Sequence, residues 1–305
     1  MIARIILRFL LSLLLASVVI FLLLRLVPGD PARVALGVTA TDEAVEALAR
    51  QLGTDRPLIV QYLDWVGGLL TGDFGMSLAS RQDITPLIVD RAQVSLILCG
   101  AAMVLSLLIA IPLGMWTSNR VLPTAAQIGI AIPSFLTGIL LVTVFSVHLG
   151  WVPANGWIPP GTDVVGFLQR IILPVIALTL VQAAILTRYV RTAILEVLDK
   201  EFIRTARSTG ASISEALWRH GLRNAALPVL TVAGLQLTSL IVGAVVIERV
   251  FLIPGLGSML LDSVARRDLT AVQTIVMLLV VFTLTVNLVV DVTYRLIDPR
   301  IRRSA

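Results

Sequence analysis

The side chains that could take part in chemistry are few in this sequence, and their spacing excludes most enzyme classes. The single lysine, Lys200, follows "EVLD" rather than the Gly-x-x-x-x-Gly sequence that precedes the lysine of a phosphate-binding loop. Two histidines, His148 and His220, and one cysteine, Cys99, are too few for a disulfide or a metal framework. We therefore expect no catalytic residue, no metal site, no cofactor and no ATP site of this kind in the chain.

The chemistry-bearing residues concentrate in the stretch "RTARSTGASISEALWRHGLRNAALP", residues 204–228. It predicts two helices: the first runs from about Ile194 to Thr209 and stops at Gly210, a residue suited to a left-handed cap. The second opens with a capping box formed by Ser212 and Glu215. The turn between the two helices carries small residues that would let another surface approach the backbone: Ala206, Ser208, Gly210 and Ala211.

Three interpretations of this basic helix pair are open. A DNA-binding helix-turn-helix is disfavoured because the pair is tethered between two membrane-length segments. A helix pair resting on anionic lipid and a docking site for a cytoplasmic protein that drives the membrane part agree equally well with the surrounding cations. Those cations are Arg188, Arg191, Arg204 and Arg207.

The elements that must position this stretch are membrane helices. Hydrophobic residues make up 57% of the 305 residues, charged residues 14%, and mean hydropathy is +0.95, values that a soluble domain of this size would not show. Charge-free runs of spanning length predict an all-α membrane protein with six transmembrane helices. The predicted spans are residues 5–27, 94–118, 124–149, 171–190, 228–247 and 272–294.

The basic residues predict the orientation. With both termini in the cytoplasm, the inner segments hold 14 of the 24 Lys and Arg residues and the longer outer segments hold 8. This bias accounts for the pI of about 10.3 without a nucleic-acid partner. We expect a retained first span (1–27) rather than a cleaved signal peptide, an external loop (28–93), a core (94–294) containing the cytoplasmic loop 191–227, and a cytoplasmic tail (295–305).

The external loop and the spans carry further local signals. A helix is predicted from Thr41 or Asp42 to a stop at Gly53, and a second one, starting at Pro57, is amphipathic and would lie along the outer membrane surface. Pro112 and Pro133 are expected inside the second and third spans.

Ionisable groups are nearly absent from the predicted spans. Asp291 is the only acid expected there, and an ion pair with Arg295 would end the last helix. The neutral polar residues Gln182, Gln236, Ser239 and Asn287 could line a hydrophilic path, although hydrogen bonding between helices is the commoner role of such residues.

Several motifs together resemble the membrane-spanning permease subunits of bacterial ABC importers, in the dipeptide, oligopeptide and nickel branch. The cytoplasmic loop of that family has the general form Glu-Ala-Ala, three residues, then Gly; here Arg204, Thr205 and Ala206 stand at the first three positions and Gly210 at the glycine. The missing glutamate and the ending "LRNAALP" depart from the general form, and these departures resemble the sequences of the dipeptide, oligopeptide and nickel branch. Similar segments elsewhere are "LLRLVPGDPA" (23–32), "LGTDRPLIVQYLDWV" (52–66), "GDFGMSL" (72–78), "IPSFLTGILL" (132–141), "LGWVPANGW" (149–157), "ERVFLIPGLGSMLLDSVARRD" (248–268) and "DPR" (298–300).

The resemblance implies a subunit that pairs with a second, similar permease in the lipid bilayer and sits on two ATPase subunits, which bind ATP and Mg²⁺. An extracytoplasmic solute-binding protein would deliver the cargo, and the branch implies a dipeptide or an oligopeptide first. The ATPase contact would be formed by Arg204, Ala206, Arg207, Gly210, Ala211, Ser212 and Glu215, and an external gate or docking edge by Phe251, Pro254, Gly255 and Gly257.

Two other functions stay open. A secondary carrier of small solutes would work without an ATPase, but it would normally show acids or histidines near mid-membrane. A membrane scaffold that transports nothing would not need the two-helix inner loop. Nothing in the sequence selects among dipeptides, oligopeptides, nickel chelates, glutathione and haem as cargo.

Overall fold

The computed structural model describes residues 2–26, 31–37, 40–116 and 132–297, and the regular structure within them is helical. Those residues form no strand beyond one isolated antiparallel bridge between Met76 and Asp83. The helices are α1 (Ile2–Arg25), α2 (Pro31–Leu36), α3 (Asp42–Leu52), α4 (Leu58–Thr71), α5 (Thr85–Met115), α6 (Ser134–Leu141), α7 (Val164–Leu198), α8 (Glu201–Ser208), α9 (Ile213–Ala216), α10 (Leu222–Val250), α11 (Leu256–Ala265) and α12 (Leu269–Ile297). The predicted all-α class is confirmed.

Five described helices are long and apolar enough to cross a membrane, namely Ala3–Arg25, Thr85–Met115, Val164–Leu198, Asn224–Val250 and Leu269–Arg295. They correspond to five of the six predicted spans. The other predicted span, 124–149, falls partly outside the described residues; its described part is α6, which continues as a π-helical segment, Val142–His148.

Two local predictions about the spans are wrong. Pro133 does not lie inside a helix: its extended backbone immediately precedes α6, a position where a missing N–H costs no helical hydrogen bond. The ion pair between Asp291 and Arg295 is absent from the ion pairs of the described residues. The Asp291 side chain is exposed, and a buried Nη1 of Arg295 has no hydrogen-bond partner in that part of the chain. Pro112 does lie inside its helix, α5, as expected.

The chain divides into two compact units, and the first comprises residues 1–94 and 254–285. One cluster of its core contains Ile84, immediately before α5, Ile88 in the first turn of α5, Met259 in α11 and Ile275 in α12. The predicted loop helix is confirmed: Thr41 Oγ1 caps α3 by accepting from the N–H of Ala44 at 3.3 Å, and Gly53 ends it in a left-handed conformation.

Asp268 fixes the loop before α5 to the start of α12 within the first unit. The buried carboxylate accepts hydrogen bonds from the Ser77 hydroxyl and from the backbone N–H groups of Leu78, at 3.1 Å, and Ala271, at 3.3 Å. Three donors on one buried carboxylate compensate for the loss of its hydration.

The second unit comprises residues 95–253 and 286–305 and is organised around the 35-residue helix α7, which packs against α6 and α10. Glycines allow close approaches between helices there. A Cβ at Gly114 would lie 2.5 Å from Cγ1 of Val190, one at Gly138 would lie 3.0 Å from Cε2 of Phe251, and one at Gly234 would overlap Cγ2 of Val290. Small residues at helix contacts are the usual means of close packing in membranes.

Candidate functional site

The first arm of the predicted helix pair is shorter than expected. Helix α7 continues through Ile194 to Leu198, and α8 begins only at Glu201, so the single helix predicted from Ile194 to Thr209 is wrong. The chain turns at Lys200, which has an extended backbone (φ −76°, ψ 146°). This break lets α8 bury Ile203 while its charged residues stay exposed.

The turn after α8 is built as expected around Gly210. This glycine has φ +99°, a region that residues with a side chain rarely adopt. Its N–H donates to the carbonyl of Arg207 at 3.0 Å, and the N–H of Ala211 donates to the carbonyl of Ala206 at 3.2 Å. These two bonds are those of a Schellman motif, with Gly210 at the left-handed position.

The second arm starts at Ser212, whose Oγ accepts from the N–H of Glu215 at 3.2 Å. Only this half of the capping box is present in the described contacts, since the Glu215 carboxylate lies 3.5 Å from Nη1 of Arg219, one turn further on. The backbone then runs from α9 through a π-helical segment, Leu217–Gly221, directly into α10. Ala216 and Leu217 are buried and anchor this arm to the second unit.

The helix pair therefore presents an exposed, mixed surface, which we call the loop surface: Arg204, Ala206, Arg207, Gly210, Ala211, Ser212, Ile213, Glu215 and Trp218. Ala206 and Ala211 are half-buried and the others exposed. Arg204 pairs with Glu201 at 3.2 Å. Sequence reasoning assigned no contact role to Ile213 and Trp218, yet their side chains are 51% and 65% exposed. A surface of two large apolar side chains, small residues and guanidinium groups suits a protein partner that offers a groove and carboxylates.

Of the four residues predicted to line a path, the structure joins two. Nε2 of Gln236 in α10 donates to Oε1 of Gln182 in α7 at 2.8 Å. Ser239 is exposed and its hydroxyl lies 3.5 Å from the carbonyl of Leu235, and Asn287 is half-buried. In the described part of the chain, no hydrogen bond links either of these two to the glutamine pair.

The segment predicted as an external gate is largely buried. Phe251 is 1% exposed, packs against Gly138, and accepts a hydrogen bond at its carbonyl from the N–H of Gly156 at 3.0 Å. Leu252, at positive φ (+51°), is the exposed side chain of this turn. Within the first unit, Gly255 and Gly257 are buried and Pro254 is half-buried. The role of this segment as a gate or docking edge stays a prediction, and Leu252 is the large side chain that it exposes.

Glu248 is a polar residue that the sequence analysis overlooked. The predicted span ended at residue 247, but α10 extends to Val250 and carries this carboxylate in its last turn. Glu248 is 1% exposed, and Oε1 accepts from the Ser95 hydroxyl at 2.6 Å. Its position one residue beyond a charge-free run was the reason that sequence reasoning placed it in a loop.

The comparisons with known proteins agree with this architecture. The family described as "Binding-protein-dependent transport system inner membrane component" matches residues 102–303, and its N-terminal counterpart matches residues 1–99. The chain is 36% identical over 293 residues, covering 94% of both chains, to a "Probable peptide ABC transporter permease protein" of Sinorhizobium fredii. It is 38% identical over 301 residues, covering 95% of both chains, to the "Glutathione transport system permease protein" of Escherichia coli (strain K12).

A solved structure, described as an amino acid ABC transporter with histidines, supports the fold. One of its chains superimposes with a TM-score of 0.54 at 18% identity, covering 69% of this chain and 94% of the solved one.

Proposed function

The chain belongs to the family of binding-protein-dependent transport system inner membrane components, in its peptide and nickel branch, and we propose that it forms half of an ATP-driven import pathway for peptides. It is a permease subunit of an ABC importer and a multi-pass inner-membrane protein. In the proposed assembly, a second homologous permease supplies the other half of the path. Both termini face the cytoplasm, where two ATPase subunits bind ATP and Mg²⁺.

The observation that carries the proposal is the loop surface. A Schellman turn at Gly210 holds two short helices so that Arg204, Arg207, Ile213 and Trp218 project from the second unit, while Ile203 and Leu217 keep the pair anchored in it. Large apolar side chains are energetically unfavourable when they are exposed to water, and their combination with arginine is typical of an interface core. In this proposal they enter a groove on an ATPase subunit, and the arginines pair with its carboxylates.

A peptide cargo is supported by the relatives and by the chemistry of the interior. One relative is named for peptides and the other for glutathione, which is itself a tripeptide. The path residues we assign, Gln182, Gln236, Ser239 and Asn287, are neutral donors and acceptors that can exchange hydrogen bonds with peptide groups without trapping a charge. Cargo selection then lies with an extracytoplasmic binding protein, and this chain performs no catalysis.

The test is purification of the chain from its native membrane in mild detergent, followed by mass spectrometry, ATPase assays and uptake into proteoliposomes. The proposal expects a second permease, ATPase subunits and vanadate-sensitive hydrolysis to co-purify, and expects peptide uptake to require ATP and the binding protein. Uptake by the chain alone, driven by an ion gradient, would establish a secondary carrier instead. Two variants separate docking from folding: Trp218→Ala changes an exposed side chain of the loop surface, and Leu240→Ala changes a fully buried side chain of α10. Trp218→Ala should reduce recovery of the ATPase subunits without changing thermal stability, whereas Leu240→Ala should lower thermal stability.

A further inference from the structure

The first unit contains a cavity that the import function does not use. Its volume is about 370 Å³, at the small end of the range for ligand pockets. The C-terminal end of α1, the turn after α3, the middle of α4, residues 73–78 and the start of α12 line it. The lining residues that carry the following argument are Arg25, Arg56, Gln61, Asp64 and Trp65.

Three buried polar atoms of the cavity walls have no hydrogen-bond partner among the described residues: Nε of Arg25, Nε1 of Trp65 and Oε1 of Gln61. The Gln61 side chain is fixed, because its Nε2 donates to the carbonyls of Thr54 at 3.0 Å and Arg56 at 2.6 Å. Buried donors without acceptors are disfavoured, and native proteins seldom leave them unpaired. The cavity thus provides two unused donors and one unused acceptor.

Packing holds the two donors in place. The guanidinium carbon of Arg25 lies 5.0 Å from the ring centre of Phe21, and the ring of Trp65 stacks on the same phenyl group with centres 6.2 Å apart. Tyr62 completes the aromatic cluster and joins Ser17 of α1 through a 2.8 Å hydrogen bond. Arg25 and Trp65 are therefore ordered before any ligand arrives, which lowers the entropic cost of binding.

Two arginines and two aspartates line the cavity, so the case for an anion depends on where these charges lie and not on their sum. The carboxylate of Asp73 accepts from the N–H of Gly75 in its own turn at 3.0 Å. Arg56 is already paired with Asp64 at 3.1 Å. In contrast, no carboxylate of the described residues lies within ion-pairing distance of Arg25. An arginine that is fixed, partly buried and without an ion-pair partner in the described part of the chain is suited to an oxyanion, whose oxygens can accept from a guanidinium and a neighbouring indole N–H together.

We propose that this cavity binds the phosphate of a membrane phospholipid through Arg25 and Trp65. The shared chemistry is an oxyanion with at least two acceptor oxygens, and the position of Arg25 selects the lipid as its source. Arg25 is the last residue of the apolar span α1, where headgroups lie, and the preceding turns expose Leu15, Leu22 and Leu23, along which acyl chains can pack. The lipid would thereby join α1 to α4, and this role does not depend on the cargo or on ATPase docking.

The test is native mass spectrometry of the full chain, purified with whatever subunits accompany it, stripped of lipid and titrated with phosphatidylglycerol. Arg25→Gln should weaken binding of the tightest lipid at least tenfold, and Trp65→Phe, which keeps the ring contacts but removes the N–H, should weaken it severalfold. Arg50→Gln is the matched control, because Arg50 is an exposed arginine of α3 in the same unit and does not line the cavity.

Two results would overturn the proposal. If all three variants bind phosphatidylglycerol with the affinity of the unmodified chain, the unpaired atoms are satisfied by water. The second result is that inorganic phosphate or a free dipeptide binds, that Arg25→Gln weakens this binding, and that phosphatidylglycerol does not compete with it. The oxyanion would then belong to a soluble solute rather than to a lipid. A circular dichroism spectrum of each variant establishes that altered binding does not reflect unfolding.

Discussion

Replacing Gly210 by valine tests the loop surface directly, because the structure separates backbone strain from steric clash at this residue. No heavy atom lies within 4 Å of the position that a Cβ would occupy, so the cost comes from φ +99° alone. A left-handed conformation costs a residue with a side chain about 1–2 kcal/mol, and more when the side chain is β-branched. Because 1.4 kcal/mol changes an equilibrium constant tenfold, the population of the Schellman turn should fall about 5- to 30-fold relative to competing turns.

If the ATPase docks only on the native turn, its affinity should fall by up to that factor while the membrane helices remain folded. The assay compares ATP hydrolysis and peptide uptake in proteoliposomes, and we expect less uptake per ATP hydrolysed. Gly150→Val is the matched control, since Gly150 is also exposed, has φ +64° and also has open space around its Cβ position. Unchanged uptake per ATP in Gly210→Val, with the same ATPase content as the unmodified complex, would refute the reasoning.

Three further predictions concern packing and hydrogen bonds, all measured by thermal unfolding in detergent. Gly234→Val should destabilise the chain by about 1–3 kcal/mol because its side chain would overlap Val290, and Val290→Ala in the same chain should recover part of this; no recovery would contradict the contact. Gln182→Leu should cost about 0.6–2 kcal/mol by leaving the amide of Gln236 unpaired, and the double leucine variant should be the more stable of the two. Asp268→Ala should cost about 3 kcal/mol, more than Asp268→Asn, which keeps one acceptor oxygen; equal costs would refute the three-donor arrangement.

The features that the sequence predicted well are those with a local cause. A threonine cap and a glycine stop bound α3, and Gly210 ends α8, because these backbone conformations depend on the residue at that position. The apolar helices were likewise predictable, since their composition is dictated by the hydrocarbon core. The loop surface could therefore be located before its contacts were known.

The features that sequence reasoning missed depend on residues distant in the chain. Helix α10 extends past the end of the charge-free run and carries Glu248, whose carboxylate accepts a hydrogen bond from the Ser95 hydroxyl, 153 residues away in the sequence. Gln182 and Gln236 are 54 residues apart, and no spacing rule pairs them. The cavity around Arg25 was also invisible, because its walls come from segments whose contact is set by packing of Phe21 with Tyr62 and Trp65.

The continuous backbone from α9 to α10 gives a physical route between the loop surface and the glutamine pair, both of which lie in the second unit. From Glu215 to Gln236 the helical rise amounts to about 30 Å. Two features along it weaken the regular hydrogen-bond pattern: the π-helical segment Leu217–Gly221 and Pro228, which lacks an N–H. Bending at these points costs less than bending elsewhere in the helix. A displacement of the loop surface would therefore change its tilt relative to the segment that carries Gln236 by bending at these two points, without requiring any of the intervening turns to unfold.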